Sequence, residues 1–269
     1  MSNPIAQLEN VRLIYHEPHA ETLAIDDISA EFERGKFTAL VGPSGCGKTS
    51  ILSILAGIMP PSGGTVTVGG ERLYDTENPK GKARRANGKR VTGYMLQRDN
   101  LLDWRTIEEN VMLGLEINHS LTPENRAFAR ELLMRYGLAD FMKLYPRQLS
   151  GGMRQKVALI RTLVLRPELL LLDEPFSALD FQTRLLLADE VSGIIRSEGC
   201  TAVLVTHDIS EAISMCDRVI VLTARPAVIR RDIDIVLDSD TPVARRSDKQ
   251  FKDYFNIVWE EILKNEEFN

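Results

Sequence analysis

The hydrophobic positions of the chain follow patterns typical of buried strands in some segments and of helices in others. Residues 37–57 run from an apolar strand pattern through a glycine-rich turn into a helical pattern. Two more continuous apolar runs begin residues 169–175 and 201–208, as in strands buried on both faces of a parallel sheet. Alternating β-branched residues around Gly69-Gly70 predict a hairpin. Together these patterns predict an α/β protein.

A helical segment separates the two halves of the predicted sheet. Residues 100–165 contain few β-branched runs, and within them Thr122 and Pro123 have the residue types of a helix N-cap and first helical position. An apolar stripe then predicts the buried side of a helix, with Phe128, Leu132, Leu133 and Tyr136. Near the end of the chain, the alternation at residues 233–237 predicts a strand, and a charged helical pattern follows.

Composition and charge exclude several classes of protein. With 43% hydrophobic and 26% charged residues over 269 positions, the chain is neither disordered, collagen-like nor a coiled coil. The net charge of −5 argues against a dedicated nucleic-acid binder. Three cysteines without metal-ligand spacing do not suggest a disulfide framework or a zinc site, and they fit a reducing compartment. We expect no secretion signal, because the N-terminus lacks a basic start followed by an apolar stretch, and no membrane span, because no run of about 18 apolar residues occurs.

The glycine-rich turn matches an eight-residue phosphate loop, GPSGCGKT, between a predicted strand and a predicted helix. Its glycines allow successive backbone N–H groups to surround phosphate oxygens. Lys48 would reach the β- and γ-phosphates, and the Thr49 hydroxyl would ligate Mg²⁺. The predicted ATP-binding residues here are Gly42, Pro43, Ser44, Gly45, Cys46, Gly47, Lys48, Thr49 and Ser50.

Two further segments have chemistry that suits a phosphate site. Asp173 and Glu174 follow a buried strand, at the edge where open parallel sheets bind ligands. Asp173 suits Mg²⁺ binding, and Glu174 suits a base or orienter for an attacking water. In the sequence LSGGM, the N-cap Ser150 and the two following glycines expose amides that form a second potential anion site.

The order of these elements, with His207 after another apolar strand, resembles the ATP-binding-cassette (ABC) ATPases over roughly residues 5–225. The resemblance implies a P-loop NTPase (RecA-like) core with an antiparallel β subdomain and an inserted α-helical subdomain. It divides the chain into an ABC ATPase domain at residues 1–225, with the helical insertion at about 100–165, and a C-terminal extension at 226–269.

The resemblance also assigns roles to single residues. It places Tyr15 on the adenine ring, although an ordinary strand aromatic is the alternative, because residues 16–22 look like a lengthened turn. Gln97 matches the residue that contacts Mg²⁺ or the attacking water, and His207 matches the histidine that contacts the γ-phosphate. With Lys48 and Glu174, these two residues make up the predicted catalytic set.

In ABC ATPases, the LSGGM signature of one subunit completes the phosphate site of the other. The resemblance therefore implies a homodimer in which Ser150, Gly151 and Gly152 act in trans. Met153 replaces the glutamine of many members, with little expected consequence. Asp180, in the loop SALD, is expected to cross the dimer interface.

The segment after Gln97 resembles the ATPases of nitrate, sulfonate, taurine and bicarbonate importers. In that branch, this region receives a coupling helix from a membrane permease, so we expect docking near residues 97–104. Asp103 replaces the usual proline, which makes the expected docking surface more acidic. The alternative is that apolar residues of this segment belong to the core of the helical insertion, namely Leu101, Leu102 and Trp104.

The resemblance implies an ATP-hydrolysing subunit at the cytoplasmic face of the membrane that powers import of a small anion or related solute. A permease and an extracytoplasmic solute-binding protein would select that solute. The alternatives are a soluble ABC ATPase acting on nucleic acid or ribosomes, and a subunit that binds ATP without hydrolysis. No nucleic-acid partner is expected, since a solvated loop explains the basic cluster between residues 80 and 90 better than a binding patch does.

Overall fold

The structure is a computed structural model that describes residues 3–18, 20–75 and 91–264, so the basic cluster lies outside the described residues. The strands are β1 (Ala6–Glu17), β2 (Ala20–Phe32), β3 (Phe37–Val41), β4 (Gly63–Val68), β5 (Glu71–Asp75), β6 (Thr92–Met95), β7 (Leu169–Asp173), β8 (Thr201–Val205), β9 (Arg218–Leu222) and β10 (Ile229–Asp234). The helices are α1 (Lys48–Leu55), α2 (Ile107–Ile117), α3 (Pro123–Arg135), α4 (Gly151–Leu163), α5 (Phe181–Ser197), α6 (Ile209–Met215), α7 (Pro242–Arg245) and α8 (Phe251–Leu263).

Four strands form an antiparallel sheet in the order β2-β1-β4-β5. The turn between β4 and β5 contains Gly69 and Gly70, with φ angles of 63° and 79°. Tight two-residue hairpin turns favour positive φ at both central residues, and glycine adopts it without steric cost. The predicted hairpin is therefore confirmed. The expected lengthened turn at residues 16–22 is mostly strand instead, because β1 and β2 stay paired up to Glu17 and Ala20.

The second sheet has the order β10-β9-β3-β8-β7-β6, in which only the β10–β9 pair is antiparallel. All residues of β3, β7 and β8 are buried, which explains their continuous apolar sequences. In the pairing register, Leu40 and Asp173 both lie opposite Val205, and Met95 lies opposite Leu172. The residues that follow these four strands therefore emerge along one edge of the sheet.

Helices α2, α3 and α4 lie between β6 and β7 along the chain and share one apolar core with the parallel sheet. The Thr122 hydroxyl accepts a hydrogen bond from the Asn125 N–H, so the predicted N-cap is confirmed. The α/β fold class is confirmed, whereas the domain boundaries near residues 100, 165 and 225 stay predictions. None of the helices in the described ranges is long and apolar enough to cross a membrane.

The strand near the C-terminus begins four residues earlier than the alternation at 233–237 suggests. β10 pairs with β9 from Ile229 opposite Leu222 to Asp234 opposite Arg218, where β9 begins. Beyond Asp234 there is no further length of β9 to pair with, and Ile235 instead packs into the core with 5% exposure. The predicted helical tail is present as α8.

The side chain of Asn110 fixes the segment that precedes α2. Asn110 is fully buried, and its Oδ1 accepts from the Leu102 N–H at 2.7 Å. Its Nδ2 donates to the carbonyl oxygens of Leu102, Arg105 and Thr106 at 2.9–3.1 Å. Thr106 then caps α2 in a capping box with Glu109. Residues 102–106 are therefore tied to the helix that follows them.

We predict that Asn110→Ala lowers the free energy of unfolding by about 2 kcal/mol or more, because it leaves several backbone groups without a partner. Urea unfolding measures the loss. Asn125→Ala is the control, since it removes one side-chain hydrogen bond, to the Ser120 carbonyl. Equal losses in the two variants would contradict this account of Asn110.

Candidate functional site

The predicted phosphate loop joins the carboxyl end of β3 to the first residue of α1. Gly47 is the N-cap of α1 with φ of 111°, and no side chain caps the helix. The first amides of α1 therefore lack a side-chain acceptor and are available to an anion. A Cβ at Gly42 would lie 2.8 Å from the Leu222 carbonyl oxygen, so only glycine allows the loop to pack this closely against β9.

Lys48 is 6% exposed, and its ammonium group lies inside the loop. Its Nζ donates to the carbonyl oxygens of Gly42 and Pro43, both at 2.8 Å. It also contacts the sulfur of the buried Cys46 at 3.7 Å. The loop thus holds a positive charge at the place where phosphate oxygens would bind.

Thr49 and Asp173 meet beside this charge. The Thr49 hydroxyl donates to Asp173 Oδ1 at 3.0 Å, and Tyr94 OH donates to Asp173 Oδ2 at 3.4 Å. Burial raises the pKa of Asp173. Burial and, to a smaller extent, the neighbouring Asp173 raise the pKa of Tyr94 to about 12, against a lowering effect of Ser53. A hydroxyl and a carboxylate are hard oxygen ligands, so this pair fits Mg²⁺. Sequence reasoning missed Tyr94, three residues before Gln97 in the same predicted strand.

Two predicted catalytic side chains, those of Gln97 and His207, lie against the carboxylate of a third, Glu174. Glu174 Oε2 accepts from Gln97 Nε2 at 3.2 Å and lies 3.4 Å from His207 Nδ1. Gln97 Nε2 also donates to the Ser177 hydroxyl oxygen at 3.2 Å. Glu174 has φ of 45°, a strained value for a residue with a side chain. Its N–H donates to the Val205 carbonyl, and its carbonyl accepts from Ser177, which holds it in place.

A cleft of about 240 Å³ joins the phosphate loop to β1. Tyr15 lines it with 36% exposure, and the Tyr15 hydroxyl lies 2.8 Å from the Ser50 Oγ. Arg225, which no motif indicated, lines the same cleft and donates to the Gly45 carbonyl at 2.8 Å through Nη2. The remaining lining residues are Ala24, Ser44, Gly47, Lys48, Thr49 and Glu174.

The LSGGM segment lies against the loop that contains Asp180. Ser150 caps α4 by accepting from the Met153 N–H at 3.3 Å. Cβ atoms at Gly151 and Gly152 would lie 3.2 Å from the side chains of Leu179 and Thr183. Neither Ser150 nor the two glycines belong to the described lining of the Lys48 cleft. This chain therefore does not bring its own signature to its phosphate loop.

A partly buried ion network joins the Asp180 loop to the residues around His207. Arg184 donates to the Leu179 carbonyl at 3.1 Å and lies 3.6 Å from carboxylate oxygens of Asp208 and Glu211. Glu211 is 3% exposed and accepts from the Thr206 hydroxyl at 2.7 Å. Burial raises the pKa of Glu211. Neither Arg184 nor Glu211 belongs to a recognisable sequence motif, so their role was not predicted from the sequence.

Comparison with known proteins now adds to this geometry. The ABC transporter family matches residues 25–177, which include the phosphate loop, the signature and the Asp173-Glu174 pair. The chain belongs to the ABC transporter family. It hydrolyses ATP in a reaction coupled to transport, and Mg²⁺ is the ion that accompanies the nucleotide.

Relatives agree over most of the chain's length. The uncharacterized ABC transporter ATP-binding protein YtlC of Bacillus subtilis is 44% identical and covers 95% of this chain and 94% of its own length. The nitrate import ATP-binding protein NrtD of Synechocystis sp. is 34% identical and covers 89% of this chain and 86% of its own length. A solved dimeric structure of the ATP-binding cassette MJ0796, in a post-hydrolysis state with ADP and Pi, has a TM-score of 0.70 at 29% identity. That alignment covers 86% of this chain and 99% of the solved one.

We predict that Arg225→Gln weakens ATP binding by about tenfold, because it removes a cation from the cleft and the donor that holds the Gly45 carbonyl. Titration with a fluorescent ATP analogue measures the dissociation constant. Arg126→Gln is the control, since it removes the same charge from an exposed position outside the cleft. Unchanged affinity in Arg225→Gln would show that Arg225 does not contribute to the nucleotide site.

Proposed function

We propose that the cluster at the carboxyl edge of the parallel sheet is the hydrolytic centre. Lys48 and the amides of the phosphate loop neutralise phosphate charge, while Thr49 and Asp173 hold Mg²⁺. When bound, Mg²⁺ adds positive charge against the phosphate oxygens. Tyr15 and Arg225 line the path to the loop, so they contact the nucleoside side of ATP.

Glu174 is the residue that we propose to orient the attacking water. The supporting observation is that Gln97 Nε2 and His207 Nδ1 both lie within 3.4 Å of the same Glu174 oxygen. Gln97 uses its amide nitrogen for Glu174 and Ser177, so its amide oxygen can serve Mg²⁺ or the water. His207 is 54% exposed and can turn toward the γ-phosphate. Positioning and charge, without covalent chemistry from the protein, then provide the catalysis.

The proposed active form is a homodimer with two shared sites. Ser150 is exposed and Gly151 is half-buried at a helix start outside the chain's own cleft, with Gly152 buried behind them. This exposed helix start suits a phosphate brought by a second copy. Asp180 caps α5 next to them and would face the same interface. ATP would close this dimer and hydrolysis would reopen it. The dimeric MJ0796 structure supports the dimeric state.

We further propose that the transporter imports a small anion or related solute and that this subunit lies at the cytoplasmic face of the membrane. The nitrate import protein NrtD supports this assignment. Trp104 is 74% exposed, and the Asn110 contacts fix the segment around it, so it can contact a permease rather than fill the core. The extracytoplasmic solute-binding protein would act through that permease.

We predict that Glu174→Gln abolishes ATP turnover but retains ATP binding, since the carboxylate that orients water is lost and the phosphate loop is unchanged. Steady-state ATPase activity is measured across a protein concentration series, and gel filtration reports dimer formation with ATP. The wild type should show activity that rises more than linearly with concentration. Lys48→Ala should lose both activity and binding.

Glu260→Gln is the matched control, because it makes the same change at an exposed position on α8. Undiminished turnover in Glu174→Gln would disprove its proposed role. Activity proportional to concentration down to high dilution would contradict the shared site, while leaving the assignment of Glu174 intact.

We predict that Trp104→Ser reduces permease-stimulated ATPase activity by about tenfold while leaving basal activity unchanged, because a buried aromatic contact contributes this much to an interface. The activity is measured in proteoliposomes that contain the permease that this subunit serves. Trp259→Ser is the control, since Trp259 is an exposed tryptophan on α8, away from the segment. Equal effects in the two variants would place the docking surface elsewhere.

A further inference from the structure

Both oxygens of the Asp173 carboxylate are held from one face of helix α1, one of them through Tyr94. The Thr49 hydroxyl donates directly to Oδ1 at 3.0 Å, and the Tyr94 hydroxyl donates to Oδ2 at 3.4 Å. Ser53 is in turn a hydrogen-bond partner of the Tyr94 hydroxyl. Thr49 and Ser53 are four residues apart on α1, so their side chains project from the same face of the helix. The carboxylate is therefore held at both of its oxygens.

The hydrogen bonds around Tyr94 have a defined direction. After burial, which raises the pKa of Tyr94 most, the hydrogen bond from Ser53 lowers this pKa and Asp173 raises it. These opposite effects are those expected of a hydroxyl that accepts from Ser53 and donates to Asp173. An ionised carboxylate has no hydrogen to donate, whereas a tyrosine hydroxyl both donates and accepts. Tyr94 therefore passes the hold of α1 on to Oδ2 of Asp173.

The neighbouring strand and the apolar core set the position of the Tyr94 hydroxyl. β6 pairs with β7 in parallel, and Tyr94 lies opposite Leu171, two residues before Asp173. The Tyr94 ring is half-buried and packs against the core cluster that contains the buried residues of α1. A ring held between a strand and a core cannot follow the carboxylate if the carboxylate turns. Tyr94 is therefore a fixed donor toward Asp173.

The orientation of Asp173 matters because Mg²⁺ requires a nearly ideal arrangement of its ligands. Thr49 gives its single hydroxyl hydrogen to Asp173, so the lone pairs of its oxygen stay available to the ion. A second donor on Oδ2 opposes rotation of the carboxylate about its last bond. Residues that hold a metal-binding side chain by hydrogen bonds contribute to metal affinity without contacting the metal.

We propose that Tyr94 is a positioning residue for Mg²⁺ at the nucleotide site, and that it acts through the carboxylate of Asp173. The inference rests on the proposed Mg²⁺-binding role of Asp173. Among the described residues, Tyr94 is not part of the lining of the nucleotide cleft, so it does not act by contacting ATP. Gln97, three residues later, contacts Glu174. The two adjacent carboxylates are thus both held from β6 and the segment that follows it.

The test measures metal binding directly, with Mn²⁺ as the probe because it takes the same oxygen ligands as Mg²⁺. The full chain is kept in excess over ADP, so that nearly all ADP is bound, and electron paramagnetic resonance follows free Mn²⁺ during the titration. We expect Tyr94→Phe to weaken Mn²⁺ binding by about fivefold or more, because the carboxylate loses one of its two hydroxyl donors. Its affinity for a fluorescent ADP analogue in EDTA should stay within about twofold of the wild type, because the phosphate loop is unchanged.

Tyr136→Phe is the matched control, because it removes a tyrosine hydroxyl that donates to another carboxylate, that of Glu198, at 2.9 Å. This variant should bind Mn²⁺ like the wild type. Asp173→Asn should weaken Mn²⁺ binding. When Asp173→Asn is already present, Tyr94→Phe should cause no further loss, because Tyr94 acts through that carboxylate.

The outcomes separate a failure of the Mg²⁺ site from a failure of the positioning role. Unchanged Mn²⁺ binding in Asp173→Asn would contradict the proposed role of Asp173, and this inference with it. If Asp173→Asn weakens Mn²⁺ binding but Tyr94→Phe does not, only the positioning role is overturned. An equal loss of ADP affinity in EDTA, or additive losses in the double variant, would also overturn it, because Tyr94 would then support the loop or act independently of Asp173.

Discussion

The parallel pairing of β3, β8, β7 and β6 is the constraint on which the rest of the structure depends. Parallel strands end at the same edge, so residues that are far apart along the chain become neighbours without any direct attraction between them. Lys48, Asp173 and His207 each follow or end one of these strands. The geometry of the proposed hydrolytic centre is therefore set by hydrogen bonds within a buried sheet, which is shielded from water.

The buried sheet also makes the strained backbone at Glu174 possible. A positive φ at a glutamate costs free energy, and an isolated turn would relax out of it. Here the adjacent strand holds the Glu174 N–H and Ser177 holds its carbonyl. The ion network around Arg184 likewise joins two segments, the loop of Asp180 and the helix that contains buried Glu211. Both features join segments that would have to keep their relative positions in the proposed dimer.

Much of the candidate site could be predicted because its residues lie in short local patterns. A phosphate loop needs a strand before it and a helix after it, and Asp173 and Glu174 directly end an apolar run, so sequence neighbours are also functional neighbours. Arg225 is different, because its contact with Gly45 spans 180 positions and the loop after β9 has no periodic pattern. The misplaced strand at residues 233–237 has a related cause. Alternating apolar residues indicate a buried face, but the start of β9 at Arg218 decides where pairing stops.

The carbonyl contacts of Lys48 have a consequence for the kinetics of nucleotide exchange. The Gly42 and Pro43 carbonyl oxygens lie within hydrogen-bond distance of the Lys48 ammonium group, so the loop itself offers partners for this buried charge. As a nucleotide leaves, the Lys48 ammonium group can exchange phosphate oxygens for these carbonyl oxygens one at a time. No step of release then leaves the buried ammonium group without a hydrogen-bond partner. The same lysine that attracts phosphate thereby lowers the barrier to letting the spent nucleotide go, at the expense of some equilibrium affinity.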